Sequence, residues 1–205
     1  MNNKKCEIIL NGYKFSNIEN DRFIIACDGA WNKINHNKVK VNLLIGDFDS
    51  IKGEIPDNLP FLKFPKEKDD TDSILAVKWA INNQFNDIKI NGAFGGRLDH
   101  EYANLQCGIY ASTRVKKVTI EDDNNFITFI YNESKIFPKR EGFSLSVFSA
   151  SEICEGVTIT GTKYEISNKT LTNSFPIGIS NEWKEKYAEI SVKNGILIII
   201  QSKIT

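Results

Sequence analysis

Phe23-Ile24-Ile25-Ala26-Cys27-Asp28-Gly29 is an apolar run that stops on an acid and a glycine, and the pattern returns at Val41 to Ile45, which stops on Gly46-Asp47-Phe48-Asp49-Ser50. Short runs of this kind, bounded by turn formers, mark strands covered on both faces, as in a parallel sheet. Ile88-Lys89-Ile90 and Val118-Thr119-Ile120 continue the series. Thr71 to Asn83 reads as a helix between them, with Asp70 or Thr71 as N-cap and Ile74, Val77 and Ile81 at helical spacing; Asp99 to Ser112 reads as a second helix. Strand alternating with helix predicts an α/β domain on a parallel sheet. After about residue 124 the grammar changes. Phe143-Ser144-Leu145-Ser146-Val147 alternates strictly, and Val157 to Ile166 and Ala188 to Gln201 are rich in Thr, Val and Ile, which predicts an all-β second half. With Tyr131-Asn132-Glu133-Ser134 and Pro138 as the boundary region, the expected organisation is a nucleotide-type α/β domain over 1–130 and a β-sandwich over 131–205.

The chain of 205 residues is long enough for two small cores without a covalent staple. Its four cysteines, Cys6, Cys27, Cys107 and Cys154, form no C-x-x-C and are widely spaced, which points to reduced structural thiols and a cytoplasmic setting. Near the start, Ile8-Ile9-Leu10 is an apolar run far shorter than a signal segment or a membrane span. Charges balance at 26 basic and 26 acidic residues with no Lys/Arg block, so neither nucleic acid nor a membrane surface is an expected partner. No solenoid repeat or low-complexity tract is visible.

Chemistry collects where the first-half strands end. In open α/β sheets ligands bind beyond the carboxyl ends of the strands, which is where Asp28, Asp47 and Asp49 fall. Pro65-Lys66-Glu67-Lys68-Asp69-Asp70-Thr71-Asp72 adds acids and lysines before a helix start, and Gly92-Ala93-Phe94-Gly95-Gly96-Arg97-Leu98-Asp99-His100 opens the next helix. Converging carboxylates repel one another unless a cation lies among them, and Mg²⁺ is the hard ion that shares carboxylates with phosphates. Each piece also has a plain reading. Asp47 and Asp49 can be turn formers, Gly95-Gly96 a turn needing positive φ, Lys68 a solvated lysine, and His100 a helix-terminus residue. Gly95, Gly96, Arg97 and Asp99 together put backbone N–H groups, a guanidinium and a carboxylate around one loop at a helix start, which suits phosphate. With only His36 and His100 as histidines, nucleophilic or zinc chemistry has little support, and neither a Walker A nor a G-x-G-x-x-G pattern is present.

Taken in order, Asp28-Gly29-Ala30, Ile45-Gly46-Asp47-Phe48-Asp49-Ser50, Lys68-Asp69-x-Thr71-Asp72 and Gly95-Gly96-Arg97-Leu98-Asp99-His100-x-x-x-Asn104 resemble the thiamine pyrophosphokinase family. Thr160-Gly161-Thr162-Lys163-Tyr164 resembles that family's T-G-L-K-[YW] strand, and Gly178-Ile179-Ser180-Asn181-Glu182 its G-x-S-N-E loop, so the similarity runs from about residue 23 to the last strand. The resemblance implies an ATP- and Mg²⁺-binding catalytic domain followed by a thiamine-binding sandwich, and transfer of diphosphate from ATP to the hydroxyl of thiamine in a homodimer with shared active sites. By it, Asp28, Asp47, Asp49, Asp72 and Asp99 surround the Mg²⁺ and triphosphate, with Asp47, Asp49 and Asp72 as direct metal ligands. Lys68 and Arg97 pair phosphate oxygens, with Gly95, Gly96 and Asn104 on the nucleotide; Tyr164, Ser180, Asn181 and Trp183 are the thiamine-side residues. Thr162 departs from the family's Leu, and Trp31 and Trp183 stand where other residues are common. A pyrophosphokinase for another alcohol such as a hydroxymethylpterin, a Mg²⁺ phosphohydrolase with Asp47 as nucleophile, and a silent nucleotide sensor are the rival readings.

Overall fold

The computed structural model describes residues 4–67 and 69–204. Contacts divide the chain into two compact units between Asp123 and Asn124. The first is built on strands β1 (Lys5–Ile9), β2 (Phe23–Cys27), β3 (Leu43–Gly46), β4 (Phe61–Lys63), β5 (Asp87–Asn91) and β6 (Lys117–Glu121), with helices α1 (Asp72–Asn82) and α2 (Leu98–Ser112) between the later strands. All six strands pair in parallel, in the order β4-β3-β2-β1-β5-β6. The chain therefore leaves β1 in one direction through β2 to β4 and returns to the other side of β1 for β5 and β6. That reversal makes the gap beyond the carboxyl ends of β1 and β5 the place where an open α/β sheet binds ligands.

Central strands are buried along nearly their whole length, as expected of a parallel sheet covered on both faces. Two strands of this sheet, β1 and the edge strand β4, were not legible. Because β1 carries Lys5 and Glu7 among its apolar residues, its Ile8-Ile9 is too short to mark a strand, and β4 is only three residues long. Glu7 is tolerated at 0 % exposure because Lys89 of β5 lies alongside and the side-chain amide of Asn91 donates to it at 2.8 Å. On one face Ile9, Ile24, Ala26 and Leu44 pack with Ala30, Trp31, Ile34, Val39 and Val41. Trp31 is thus a core residue of this unit.

The second unit begins with β7 (Asn125–Tyr131), β8 (Ser134–Pro138), β9 (Phe143–Ser149) and β10 (Ile153–Thr160). It continues with β11 (Ile166–Thr172), β12 (Tyr187–Ser191) and β13 (Ile196–Lys203). β7, β13 and β9 form one antiparallel array, and β11, β10, β12 and β8 form a second sheet, also antiparallel. Ile130, Leu145, Val147, Leu197 and Ile199 from the first meet Phe137, Val157, Ile159, Leu171 and Ile190 from the second in one core, which makes a sandwich. The expected cut at 130/131 falls within β7, before its last residue, whereas β7 pairs with β13 along its length and belongs with the second unit. Tyr131 to Ser134 is where the chain passes from one sheet to the other, with Asn132 at φ +51. Among the described residues no helix is long and apolar enough to cross a membrane.

Candidate active site

The carboxyl ends of β1, β2, β3 and β5 and the N-termini of α1 and α2 enclose a cavity of about 560 Å³. Leu10 to Tyr13, Asp28, Asp47, Ser50, Lys66, Asp69 to Ser73, Gly96, Arg97, His100, Glu101 and Asn104 are among the residues that line it. This is the size of a small-ligand site and lies at the topological switch of the sheet. A larger groove of about 820 Å³, with Trp31, Lys40, Lys52 and Leu59 on its walls, holds none of the expected site residues.

Asp28, Asp47 and Asp49 can each bring a carboxylate oxygen within 4.8 Å of the others. Local backbone arranges this. Asp28 follows β2 at φ +42 and Phe48 lies at φ +69, left-handed conformations that non-glycine residues adopt rarely and mostly where the surroundings impose them. A Cβ at position 46 would stand 2.8 Å from Asp28 Cβ, so Gly46 at the end of β3 leaves Asp28 its room. The Asp49 N–H donates to Asp47 Oδ1 at 3.1 Å, which makes the D-x-D segment an Asx turn as well as part of the acidic group; the plain and functional readings coexist. Lys66 Nζ donates to Asp49 Oδ2 at 2.5 Å, and this contact, followed by that from Ser50, holds the Asp49 carboxyl below its ordinary value. Asp28 Oδ1 is buried with no hydrogen-bond partner among the described residues. A buried, unpartnered carboxylate oxygen beside two further acids is a costly arrangement for protein atoms alone and suits a hard oxygen-seeking cation.

The other expected residues divide. Asp72 is the first residue of α1, where Thr71 rather than Asp70 is the N-cap; it lines the cavity outside the three-carboxylate group. Asp70 is paired with Lys78 at 2.6 Å. Arg97 and Asp99 fork together through two hydrogen bonds, at 2.5 and 3.1 Å, on the exposed start of α2. Asp99 therefore stands with Arg97, not with the acidic group. The backbone N–H groups of Gly95 and Gly96, expected to face phosphate, instead donate to the Glu101 carboxylate at 2.7 and 2.9 Å. Asn104 donates its side-chain amide to the Ala93 carbonyl at 2.9 Å. The expectation for Lys68 lies outside the described residues.

In the second unit, Ser180 is exposed at φ +55 and its N–H donates to Ser146 Oγ. Tyr164 is exposed, while Trp183 packs on the sandwich core with its buried Nε1 unpartnered. Asn181, expected on the thiamine side, is engaged within the chain. It is buried, its amide donates to Thr162 Oγ1 and the Tyr164 carbonyl, and its oxygen accepts from the N–H groups of Tyr164 and Glu182, so it pins the loop to the turn at 162–164. Lys66 and Glu101 were not among the expected site residues; Lys66 meets Asp49 across 17 positions of sequence, and Glu101 reaches from α2 back to the turn before it.

Fold and site together define a protein with an acidic, ligand-sized cavity at the switch point of an open parallel sheet, followed by an antiparallel sandwich. Residues 16–120 match the family model described as thiamin pyrophosphokinase, catalytic domain, and residues 133–197 the one described as thiamin pyrophosphokinase, vitamin B1 binding domain. Thiamine pyrophosphokinase of Bacillus subtilis is 35% identical over 164 residues, which cover 77% of this chain and 76% of that protein. The crystal structure of thiamine pyrophosphokinase from the same species superposes with a TM-score of 0.88 at 28% identity, covering 98% of this chain and 99% of that one. That of thiamin pyrophosphokinase from Geobacillus thermodenitrificans gives 0.85 at 25% identity, over 98% of each chain. The chain belongs to the thiamine pyrophosphokinase family.

Proposed function

We propose that this chain is an ATP-dependent thiamine diphosphokinase, which converts thiamine and ATP to thiamine diphosphate and AMP. The observation that carries the reading is the group Asp28, Asp47 and Asp49 at the switch-point cavity of a chain in this family, with the Asp28 oxygen lacking a hydrogen-bond partner among the described residues. Those three residues, rather than the expected set Asp47, Asp49 and Asp72, would hold Mg²⁺. Bound there, Mg²⁺ would supply charge neutralisation for the polyphosphate.

In the reaction the thiamine hydroxyl oxygen bonds to the β-phosphorus of ATP as the bond from that phosphorus to the α-phosphate oxygen breaks. AMP leaves, and the hydroxyl proton passes to a cavity carboxylate, for which Asp72 is our assignment. Such transfers need positioning and charge stabilisation rather than a covalent enzyme intermediate. Arg97 and Lys66 line the cavity and supply cationic groups for the phosphates. Thiamine contacts fall to the second unit, with Ser180, Tyr164 and Trp183 as the residues concerned. A homodimer is supported by Phe175, Ile177 and Ile179, large apolar side chains left exposed at alternate positions before Ser180. Four buried free thiols suit the reducing cytoplasm, and burial pushes that of Cys6 up to about 12, out of the reactive range.

The test is incubation with ATP and MgCl₂ against a panel of thiamine, a hydroxymethylpterin and sugar alcohols, with products resolved by mass. Thiamine diphosphate and AMP in equal amounts are the expected products. AMP formation with the pterin but not with thiamine moves the reading to the rival acceptor; release of inorganic phosphate alone makes it a hydrolase.

A further inference from the structure

The loop between β5 and α2 is fastened to the helix by two side chains one turn apart. Glu101 and Asn104, at spacing i, i+3, share a face of α2. Asn104 donates to the Ala93 carbonyl at 2.9 Å, and Glu101 Oε1 accepts from the N–H groups of Gly95 and Gly96 at 2.7 and 2.9 Å. From the opposite side, the N–H of Gly12 donates to the Gly92 carbonyl at 2.8 Å and that of Tyr13 to the Phe94 carbonyl at 2.9 Å. Gly95 lies at φ +88, and a Cβ there would sit 3.1 Å from that of Tyr13, so the turn is also close-packed. The next residue after this fastened turn is Arg97.

An acid on the wall of a cavity meant for polyphosphate is a liability unless its charge is directed elsewhere. Glu101 has that direction: both of its hydrogen bonds run to backbone N–H groups, and charge-assisted bonds of this kind are stronger than neutral ones. Those amides are consequently engaged before any phosphate arrives. Holding the start of the helix would not require a glutamate here, because Asp99 already places a carboxylate in the first turn. Reaching both glycine amides does require the longer side chain at this position.

We propose that Glu101 is a positioning residue for diphosphate transfer: its carboxylate fixes the Gly95–Gly96 turn and thereby the direction from which Arg97 meets the phosphates. The proposal rests on the diphosphotransfer reading above. It assigns the two amides to the scaffold and the phosphate contact to the guanidinium.

The experiment uses the full chain with Glu101→Ala, Glu101→Asp, Glu101→Gln, Arg97→Ala and the double Arg97→Ala/Glu101→Ala variant. It measures kcat and KM for ATP and thiamine, and amide hydrogen exchange at Gly95 and Gly96 by NMR without nucleotide. Glu101→Ala and Glu101→Asp should lower kcat about tenfold with little change in the KM for thiamine, and Glu101→Gln, which keeps an oxygen acceptor, should recover most of that loss. In the Arg97→Ala background, Glu101→Ala should cost less than about twofold more, because the two residues act as one unit. Additive losses, a glutamine variant as slow as the alanine one, or a lower KM for ATP once the amides are released would each overturn the assignment. Should the alanine variant fail to fold, the Asp and Gln variants decide by the same criteria. Fast exchange at both amides in the unsubstituted chain would sink the positioning role by itself, whereas absence of AMP formation by that chain would sink the transfer reading.

Discussion

Asp28 combines a left-handed backbone, close packing against Gly46 and a buried oxygen without a partner among the described residues, a set of costs that a folded chain keeps at functional positions. Asparagine tolerates the same backbone region, so Asp28→Asn removes charge with little added strain. We expect it, and Asp49→Asn, to lower turnover by at least about a hundredfold; thermal unfolding should stay level or rise slightly for Asp28→Asn, since one acid leaves a like-charged group, and should not rise for Asp49→Asn, which gives up the contact with Lys66. Near-normal turnover at modest Mg²⁺ in either variant would remove that residue from the metal site. Arg97→Lys should lose more than about tenfold in kcat, because an ammonium cannot reproduce the planar two-point contact that Arg97 makes with Asp99 and would make with phosphate. Equal rates with lysine would make the guanidinium's geometry irrelevant. The meeting of Asp28, Asp47 and Asp49 was legible because they follow apolar strands at one edge of the sheet. The backbone contacts of the polar amides were not: nothing in the sequence signals that the buried side chains of Asn104 and Asn181 hold the carbonyls of Ala93 and Tyr164. Lys66, 17 positions from Asp49 and joined to it only by the fold, carries no local signal of its partner.

At the scale of elements, apolar strand runs and helical spacing revealed β2, β3, β5, β6, α1 and α2, while β1 stayed hidden behind a charge. Its Glu7 belongs to a network on one face of the sheet, in which Lys89 also meets Glu19 at 3.0 Å and Arg22 meets Glu19 at 2.7 Å and Asp87 at 2.9 Å. Single-sequence periodicity reads Glu7 and Lys89 as solvent-facing, because only the pairing of β1 with β5 sets one against the other. The network makes acid stability a test of the fold. Burial pushes the Glu19 carboxyl up, but hydrogen bonds from Arg22 and Lys89 outweigh it and hold the group at about 2, below its ordinary 4.5. Its contribution to stability is therefore present above pH 4.5 and lost as pH falls toward 2. Glu7 works in the opposite sense: burial raises its carboxyl, so folding favours its protonated form and its contribution improves toward acid. Unfolding free energy should fall between pH 4.5 and 2 in the unsubstituted chain and fall less, or turn upward, in Glu19→Gln. Parallel pH curves for the two proteins would show that Glu19 is not held by this network.

For the whole molecule, strict alternation in β9 and the Thr, Val and Ile content near the C-terminus were enough to indicate a sandwich, but not its starting strand, because β7 takes its place only through pairing with the distant β13. The loop before β12 carries the clearest division between what holds the fold and what is exposed for binding. The Asn181 side chain makes four hydrogen bonds within the chain, so Asn181→Ala should destabilise the protein by about 1–3 kcal/mol in denaturant unfolding, and an unchanged unfolding midpoint would return it to the surface-ligand class. Ser180 is exposed and its side chain is not needed for the contact its backbone makes with Ser146, so Ser180→Ala tests binding without that loss. We expect it to raise the KM for thiamine severalfold and to leave the KM for ATP nearly unchanged, the pattern of a lost acceptor contact. The same variant tests the proposed homodimer with shared sites. Mixed with inactive Asp49→Asn chains, it should regain part of the low-thiamine activity if a mixed dimer can combine the intact loop of one chain with the intact acids of the other. Exchange is verified first by mass-labelled subunits, so that failure has one meaning. An altered thiamine KM without recovery on mixing would confine each site to one chain, and an unaltered KM would leave Ser180 outside the thiamine site altogether.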